Sequence, residues 1–345
     1  MWRAVRFIGT AVVAALLVLP AAAQDPAAFY KGRSIDIIVA SPPGGGYDAY
    51  ARIVARHMVK HMPGPPSFIV KNMAGAGGRT ATAFLADVAA RDGSVVLANQ
   101  PGALVEPILG DPKSVLYDPL KFQYIGSAEG FTTLCLLHKD APVKSFAELM
   151  QKEAIFGGDQ IGSTTHDHTL MYKNLVGAKI KMVTGYKGTS DLVLAIKRAE
   201  IHGFCGYAWS SLFARSPDLI TSGLTKMMVQ FAITPHSEAT KAGVPTTWEF
   251  MKADDVNRKA VELIATTQEF GRPFLVHGAV PTDRVAALRA AFDATMKDKE
   301  YDEEIKKAKL DNAPITGQEL EAKLRKVITA PKEVQDKARW GISTP

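Results

Sequence analysis

The stretch Ile35-Asp36-Ile37-Ile38-Val39-Ala40-Ser41-Pro42-Pro43-Gly44-Gly45-Gly46-Tyr47-Asp48 constrains this chain more than any other. Its first half is an apolar run rich in β-branched residues, suited to a strand buried on both faces. After the glycines, apolar positions recur at Tyr50, Ile53, Val54, His57 and Met58 while Arg52, Arg56 and Lys60 fall elsewhere, which is helical spacing. A strand that enters a helix through a glycine loop aims unpaired backbone N–H groups at one point, a geometry that suits an anion. It is not a nucleotide fingerprint. The P-loop Lys-Ser/Thr is missing, and G-x-G-x-x-G spacing from Gly44 ends on Ala49. A plain tight turn is the simpler alternative for Pro43 to Gly46; the strand-to-helix junction favours a ligand.

The same unit recurs. Phe68 to Val70 runs into Asn72-Met73-Ala74-Gly75-Ala76-Gly77-Gly78 and a helix, and Val95 to Asn99 runs into Gln100-Pro101-Gly102. After an extended segment over Thr132 to His138 and a capping box at Ser145-Phe146-Ala147-Glu148, the pattern restarts at Gly162-Ser163-Thr164-Thr165-His166 and again at Gly185-Tyr186-Lys187-Gly188-Thr189-Ser190. Ile201 to Tyr207 is a further strand, broken by Ala208-Trp209-Ser210-Ser211, and Phe274 to His277 reads as a return crossing. Alternating strands and helices predict an α/β fold of parallel sheets with helices on both faces, and loops at the carboxyl ends of such strands gather at one crevice.

At 345 residues, with 47% hydrophobic and 22% charged, the chain can bury one or two ordinary cores. Arg3 and Arg6, the apolar run Phe7 to Leu19 and Ala21-Ala22-Ala23 read as a secretory signal cut after Ala23. Losing those two arginines takes the formal charge from +6 to +4. The remaining basic residues are interleaved with acidic ones, which speaks for solvated helix surface and against a nucleic-acid partner. Cys135 and Cys205, both in strand-like runs, read as buried free thiols rather than a bridge.

The crevice loops are dominated by Gly, Ser and Thr, donors without bulk that suit a carboxylate. Ser163, Thr164 and Thr165 serve as helix caps and ligand donors together. Asp48 reads as a helix N-terminal residue rather than a general base. His166 and His168 point to different faces of a helix, which argues against a metal, and a Ser163/His166 nucleophilic pair lacks an elbow and an orienting acid. Tyr207 and Trp209 either line the crevice or pack behind it. Arg272 either meets a second carboxylate or belongs to a surface or hinge salt bridge. No cofactor is called for.

Together, Ile38 to Arg52, Asn72 to Gly78, Tyr117-Asp118-Pro119-Leu120, Ser163 to His166 and Tyr186-Lys187-Gly188-Thr189 resemble the extracytoplasmic solute receptors of the tripartite tricarboxylate transporters, the Bug receptors. The resemblance runs in order over almost the whole chain beyond the signal. It implies a type II periplasmic binding-protein fold, with residues 24–127 plus 271–345 in one lobe, 128–270 in the other, and hinges near 127–132 and 270–275. It implies a periplasmic, monomeric, non-enzymatic receptor that passes a small organic carboxylate to integral-membrane permease subunits. Carried over, the ligand residues are Pro43, Gly44, Gly45, Gly46, Tyr47, Asp48, Ala76, Gly77, Gln100, Ser163, Thr164, Thr165, His166, Tyr186, Tyr207, Ala208, Trp209 and Arg272. Tyr47, Gln100-Pro101, Trp209 with Phe213, and Gly271-Arg272-Pro273 depart from the usual pattern, so di- or tricarboxylates and aromatic acids all stay open as ligands. The rival readings are an exported α/β enzyme acting on a small anion, and a ligand sensor not coupled to transport.

Overall fold

The structure is a computed structural model that describes residues 25–110, 115–130, 132–253 and 255–343. The leader read from residues 1–23 lies outside the described residues. From Asp25 the chain forms α1 (Pro26–Tyr30), β1 (Ser34–Val39), α2 (Gly46–Met58), β2 (Ser67–Asn72), α3 (Arg79–Asp87), β3 (Val95–Ala98), α4 (Pro101–Leu109) and β4 (Gln123–Ser127). It then passes to a second sheet through β5 (Thr133–His138), α5 (Phe146–Leu149), β6 (Ala154–Gly157), α6 (Thr164–Met171), β7 (Ile180–Val183), α7 (Thr189–Lys197) and β8 (Gly203–Ala208). There α8 (Trp209–Arg215), α9 (Asp218–Thr221), β9 (Thr225–Phe231), α10 (Ser237–Lys241) and α11 (Val256–Gln268) follow. β10 (Pro273–Val276) returns to the first sheet, ahead of α12 (Thr282–Met296), α13 (Lys299–Lys307), β11 (Ile315–Thr316), α14 (Gly317–Ile328) and α15 (Lys332–Ile342).

The strand orders are β11-β4-β10-β3-β1-β2 and β7-β6-β8-β5-β9. Leaving β11 aside, the two orders are the same: in each, the first parallel strand lies between the second and the third, and a strand of opposite sense separates the third from the fourth. The sheets are therefore mixed, not parallel as the alternation suggested. β10 runs antiparallel to β3 and β4, and β5 antiparallel to β8 and β9. Both are the strands laid down as the chain enters a sheet from the other side, which reverses their direction.

β1 shows why its sequence could only be interior. It is flanked by β2 and β3, with Ile37 opposite both Val70 and Val96. Ile35, Ile37 and Val39 pack into one core while Ile38 and Ala40 pack into another, the two faces of one pleated strand. On α2, Ala49, Tyr50, Ile53, Val54 and Met58 are buried as the helical spacing requires. The last helix, α15, turns away from the first sheet's strands: it packs on α11 and α6, and Asn174 Nδ2 donates to the carbonyl of Gly341 at 3.1 Å.

The cysteines do not remain free. β5 and β8 are antiparallel neighbours with Leu134 opposite Tyr207, which brings Cys135 beside Cys205, and the two form a disulfide. Two strand-like runs far apart in sequence gave no sign that they pair with each other in this register.

Candidate functional site

A cleft of about 700 Å³ opens between the two sheets. Its first wall is the loop leaving β1. Gly45 is the N-cap of α2 and supplies no side-chain cap, so the first N–H groups of that helix lack intrahelical acceptors at a point where Gly44 to Tyr47 line the cleft. The loop is fastened from behind by Asp48. One of its oxygens accepts from the Gly44 N–H at 2.9 Å, and the other accepts from Arg52 Nε at 3.0 Å and Asn72 Nδ2 at 2.9 Å. Burial opposes the charge on Asp48, but the donors from Arg52, Gly44 and Asn72 outweigh it and hold the carboxyl below its ordinary range.

Gly46 packs against the far side of the cleft. A Cβ there would lie 2.3 Å from Ser211 Oγ and 2.7 Å from Arg272 Nη2, so a larger residue would have to displace the Ser211 and Arg272 side chains. Arg272 is buried, with its guanidinium 4.3 Å from the Tyr47 ring centre. Its Nε donates to Glu129 Oε2 at 3.2 Å and its Nη2 to Ser211 Oγ at 3.0 Å. The hinge salt bridge read for Arg272 is thus present, and Arg272 lines the cleft as well. Burial pushes the Glu129 carboxyl up, while Arg272 pulls it down.

The opposite wall is the N-terminus of α6, where Ser163 is the N-cap and accepts from the His166 backbone N–H. Two of the three hydroxyl protons here turn to an acid, while Thr164 lines the cleft. Ser163 Oγ and Thr165 Oγ1 both donate to Asp159 Oδ1, the latter at 2.5 Å. Ser163 meets the backbone of His166 and not its ring, whose Nδ1 contacts Asp167 Oδ1 at 2.9 Å, so no serine–histidine nucleophile is assembled.

Of the residues singled out in the sequence, Pro43, Gly44, Gly45, Gly46, Tyr47, Gly77, Gln100, Ser163, Thr164, Tyr207, Ala208 and Arg272 line this one cleft. Six do not. Asp48 fastens its loop, and the Ala76 carbonyl accepts from Arg79 Nε. Thr165 and His166 are buried behind the α6 N-terminus. Tyr186 packs with the core under α7, and Trp209 stacks between Phe213 and His236 with ring centres 4.5 and 4.4 Å away. The packing alternative is thus the one seen for Trp209, while Tyr207 lines the cleft and donates to Ser216 Oγ at 3.1 Å.

Sequence reasoning missed Asp159, Ser211, Lys197 and Arg215, which also line the cleft. Ser211 and Arg215 lie one turn apart on α8, and a loop-based search passes over helix positions. Asp159 follows Gly158 at the end of β6, where a carboxylate reads as a turn residue.

No protein-family model matches the chain. Protein BugT of Bordetella pertussis is 31% identical over 201 residues, covering 56% of this chain and 59% of that one. The chain spans 59% of the length of the curated relatives it matches. Among solved structures, the periplasmic binding protein BugD is superposable with a TM-score of 0.70 at 21% identity, covering 90% of this chain and 98% of that one. MatC from Rhodopseudomonas palustris with bound malate gives 0.68 at 20%, covering 89% and 99%. The resemblance to the Bug receptors therefore holds over the matched part of the chain, and the fold is that of the periplasmic binding proteins.

Proposed function

We propose that the chain is a non-enzymatic receptor that captures a small organic carboxylate between two lobes in the periplasm, as a monomer, and delivers it to the membrane subunits of a tripartite tricarboxylate-type transporter. One observation carries the reading: the N-termini of α2 and α6, which belong to opposite sheets, end at the same cleft. Each presents backbone donors and the positive end of a helix dipole, together suited to one carboxylate. The malate held by MatC, a structure of the same fold, supports that class of ligand.

Calorimetry and thermal shift against mono-, di-, tricarboxylic and aromatic acids test it, with Gly45→Phe as the control. A Cβ at Gly45 meets nothing within 4 Å and its backbone is extended, so the ring enters the cleft without straining the fold. The expected outcome is binding without turnover, lost at least 100-fold in the variant at unchanged melting temperature. Consumption of a bound acid, or failure of every carboxylate to bind, overturns the reading.

A further inference from the structure

One wall of this anion-binding cleft carries an acid. Asp159 lines the cleft yet is only 9% exposed. Its Oδ1 takes both hydroxyl protons, from Ser163 and Thr165, while Oδ2 accepts from no described residue. No lysine or arginine among the described residues pairs with it. Of the cleft's cations, Arg272 is engaged with Glu129 and Lys197 with Asp218 Oδ2 at 2.6 Å, and Arg215 and Lys187 stand exposed at the rim. Burial pushes the Asp159 carboxyl up, with the two hydroxyls working against it.

His166 is the charge-bearing neighbour that favours the ionised form of Asp159, and with no lysine or arginine beside it a buried carboxylate is costly, a cost that pairing with a cation relieves. In a receptor that cation can come with the ligand. From Asp159 Oδ1 the contacts lead directly to the Ser163 cap of α6, so the acid adjoins the backbone donors that suit the ligand's own carboxylate. We infer that Asp159 is a specificity-determining residue that selects carboxylates carrying a protonated nitrogen close to the carboxyl group, as an α-amino acid does. The ammonium donates to Asp159 Oδ2 while the carboxylate meets the helix N-termini, so a zwitterion satisfies both charges and a plain acid leaves Asp159 unpaired. This inference rests on the receptor reading above and narrows its ligand class.

Matched acids with and without the nitrogen, measured by calorimetry on the purified chain, decide it: aspartate against succinate, glutamate against glutarate, phenylalanine against 3-phenylpropionate. The aminated member of at least one pair is expected to bind at least tenfold more tightly, about 1.4 kcal/mol. In Asp159→Asn, whose side-chain oxygen can still accept from Ser163 and Thr165, that ratio falls to about one. The ratio is read within each protein, so a general loss of affinity does not mimic the effect, and Asp159→Ser replaces the Asn variant if the latter does not fold. Preference for the plain acids, or an unchanged ratio in the variant, overturns the inference and leaves the carboxylate receptor standing. Binding of neither member of any pair overturns this inference, and failure across the wider acid screen overturns the receptor reading as well.

Discussion

His168 shows at the scale of one residue how deeply the second sheet's helices are sealed. It lies on α6, two residues beyond His166, and touches no part of the cleft. Gln268 Nε2 approaches its Nε2 at 3.0 Å and Thr133 Oγ1 its Nδ1 at 2.9 Å. An amide nitrogen only donates, so the neutral ring accepts at Nε2 and carries its proton on Nδ1, where it donates to Thr133. With no acid beside it, burial pushes the imidazole down to about 3 from an ordinary 6.5. The unfolded chain therefore binds a proton that the folded chain refuses. Stability from this group is complete above about pH 6.5 and falls as pH drops through the window from 6.5 to about 3. Its expected slope is about 1.4 kcal/mol per pH unit. Glu129 and Asp159, whose carboxyls are raised, act in the opposite sense as they take up protons. The His168 contribution is therefore read as a difference. Urea midpoints measured between pH 7 and 4.5 should fall less steeply in His168→Gln than in the parent chain, and parallel slopes would refute the assignment.

At the scale of elements, the Cys135–Cys205 bridge joins two neighbouring strands of the second sheet across 70 residues of sequence. The loop it closes contains β6, α6, β7 and α7, which supply one wall of the cleft. A disulfide that closes such a loop is typically worth about 2–4 kcal/mol. Cys135→Ser paired with Cys205→Ser should lower stability by that amount in urea titrations, with the folded far-UV spectrum retained. A change under about 0.5 kcal/mol would show that the strand pairing alone sets the stability. Elements of this kind were unevenly legible in the sequence. β1, α2, the Ser145 cap and the capping box at Thr316 could be read because each rests on neighbours in sequence, a hydrophobic period or a cap and its partner three residues on, although at Ser145 the Glu148 carboxylate accepts from the Lys144 N–H and leaves the box unclosed. The capping box at Thr246 also forms, on a short turn with no hydrophobic run to announce it. Strand sense, the disulfide and the Asp159 network depend on which distant segments pair, and no local period encodes that. The loop glycines were found because they sit at strand ends, whereas Ser211 and Arg215 were not, being ordinary helix positions until α8 is placed beside Gly46.

For the whole molecule, one cleft is flanked by two sheets of like order, and contacts at its base and rim join the two. The chain crosses between them twice, and the crossings are bonded to each other: Ala128 N–H donates to the Arg272 carbonyl at 3.2 Å, and Arg272 N–H to the Glu129 carbonyl at 3.0 Å. The Glu129–Arg272 side-chain pair lies on the same spot, so the base of the cleft is fixed. The far rim is held by backbone contact instead. The Gly77 N–H donates to Gln160 Oε1 at 3.4 Å, and a Cβ at Gly102 on α4 would lie 2.1 Å from the Gly162 carbonyl oxygen. That obstacle is main chain and cannot swing aside as a side-chain tip would. Any larger residue at 102 must therefore hold the α4 rim away from the α6 rim, while the helix that carries it loses nothing by the exchange of a glycine. Gly102→Leu should leave the urea midpoint of the unliganded chain nearly unchanged and weaken the best-bound acid at least tenfold, because the fraction of molecules able to close falls by that factor. Small-angle scattering separates this from a damaged binding loop. The parent chain should contract on saturation with that acid, whereas the Gly102→Leu variant should keep its unliganded radius of gyration. Parent-like affinity together with parent-like contraction would mean that the seam of glycines is packing alone and that closure is governed entirely at the Glu129–Arg272 base.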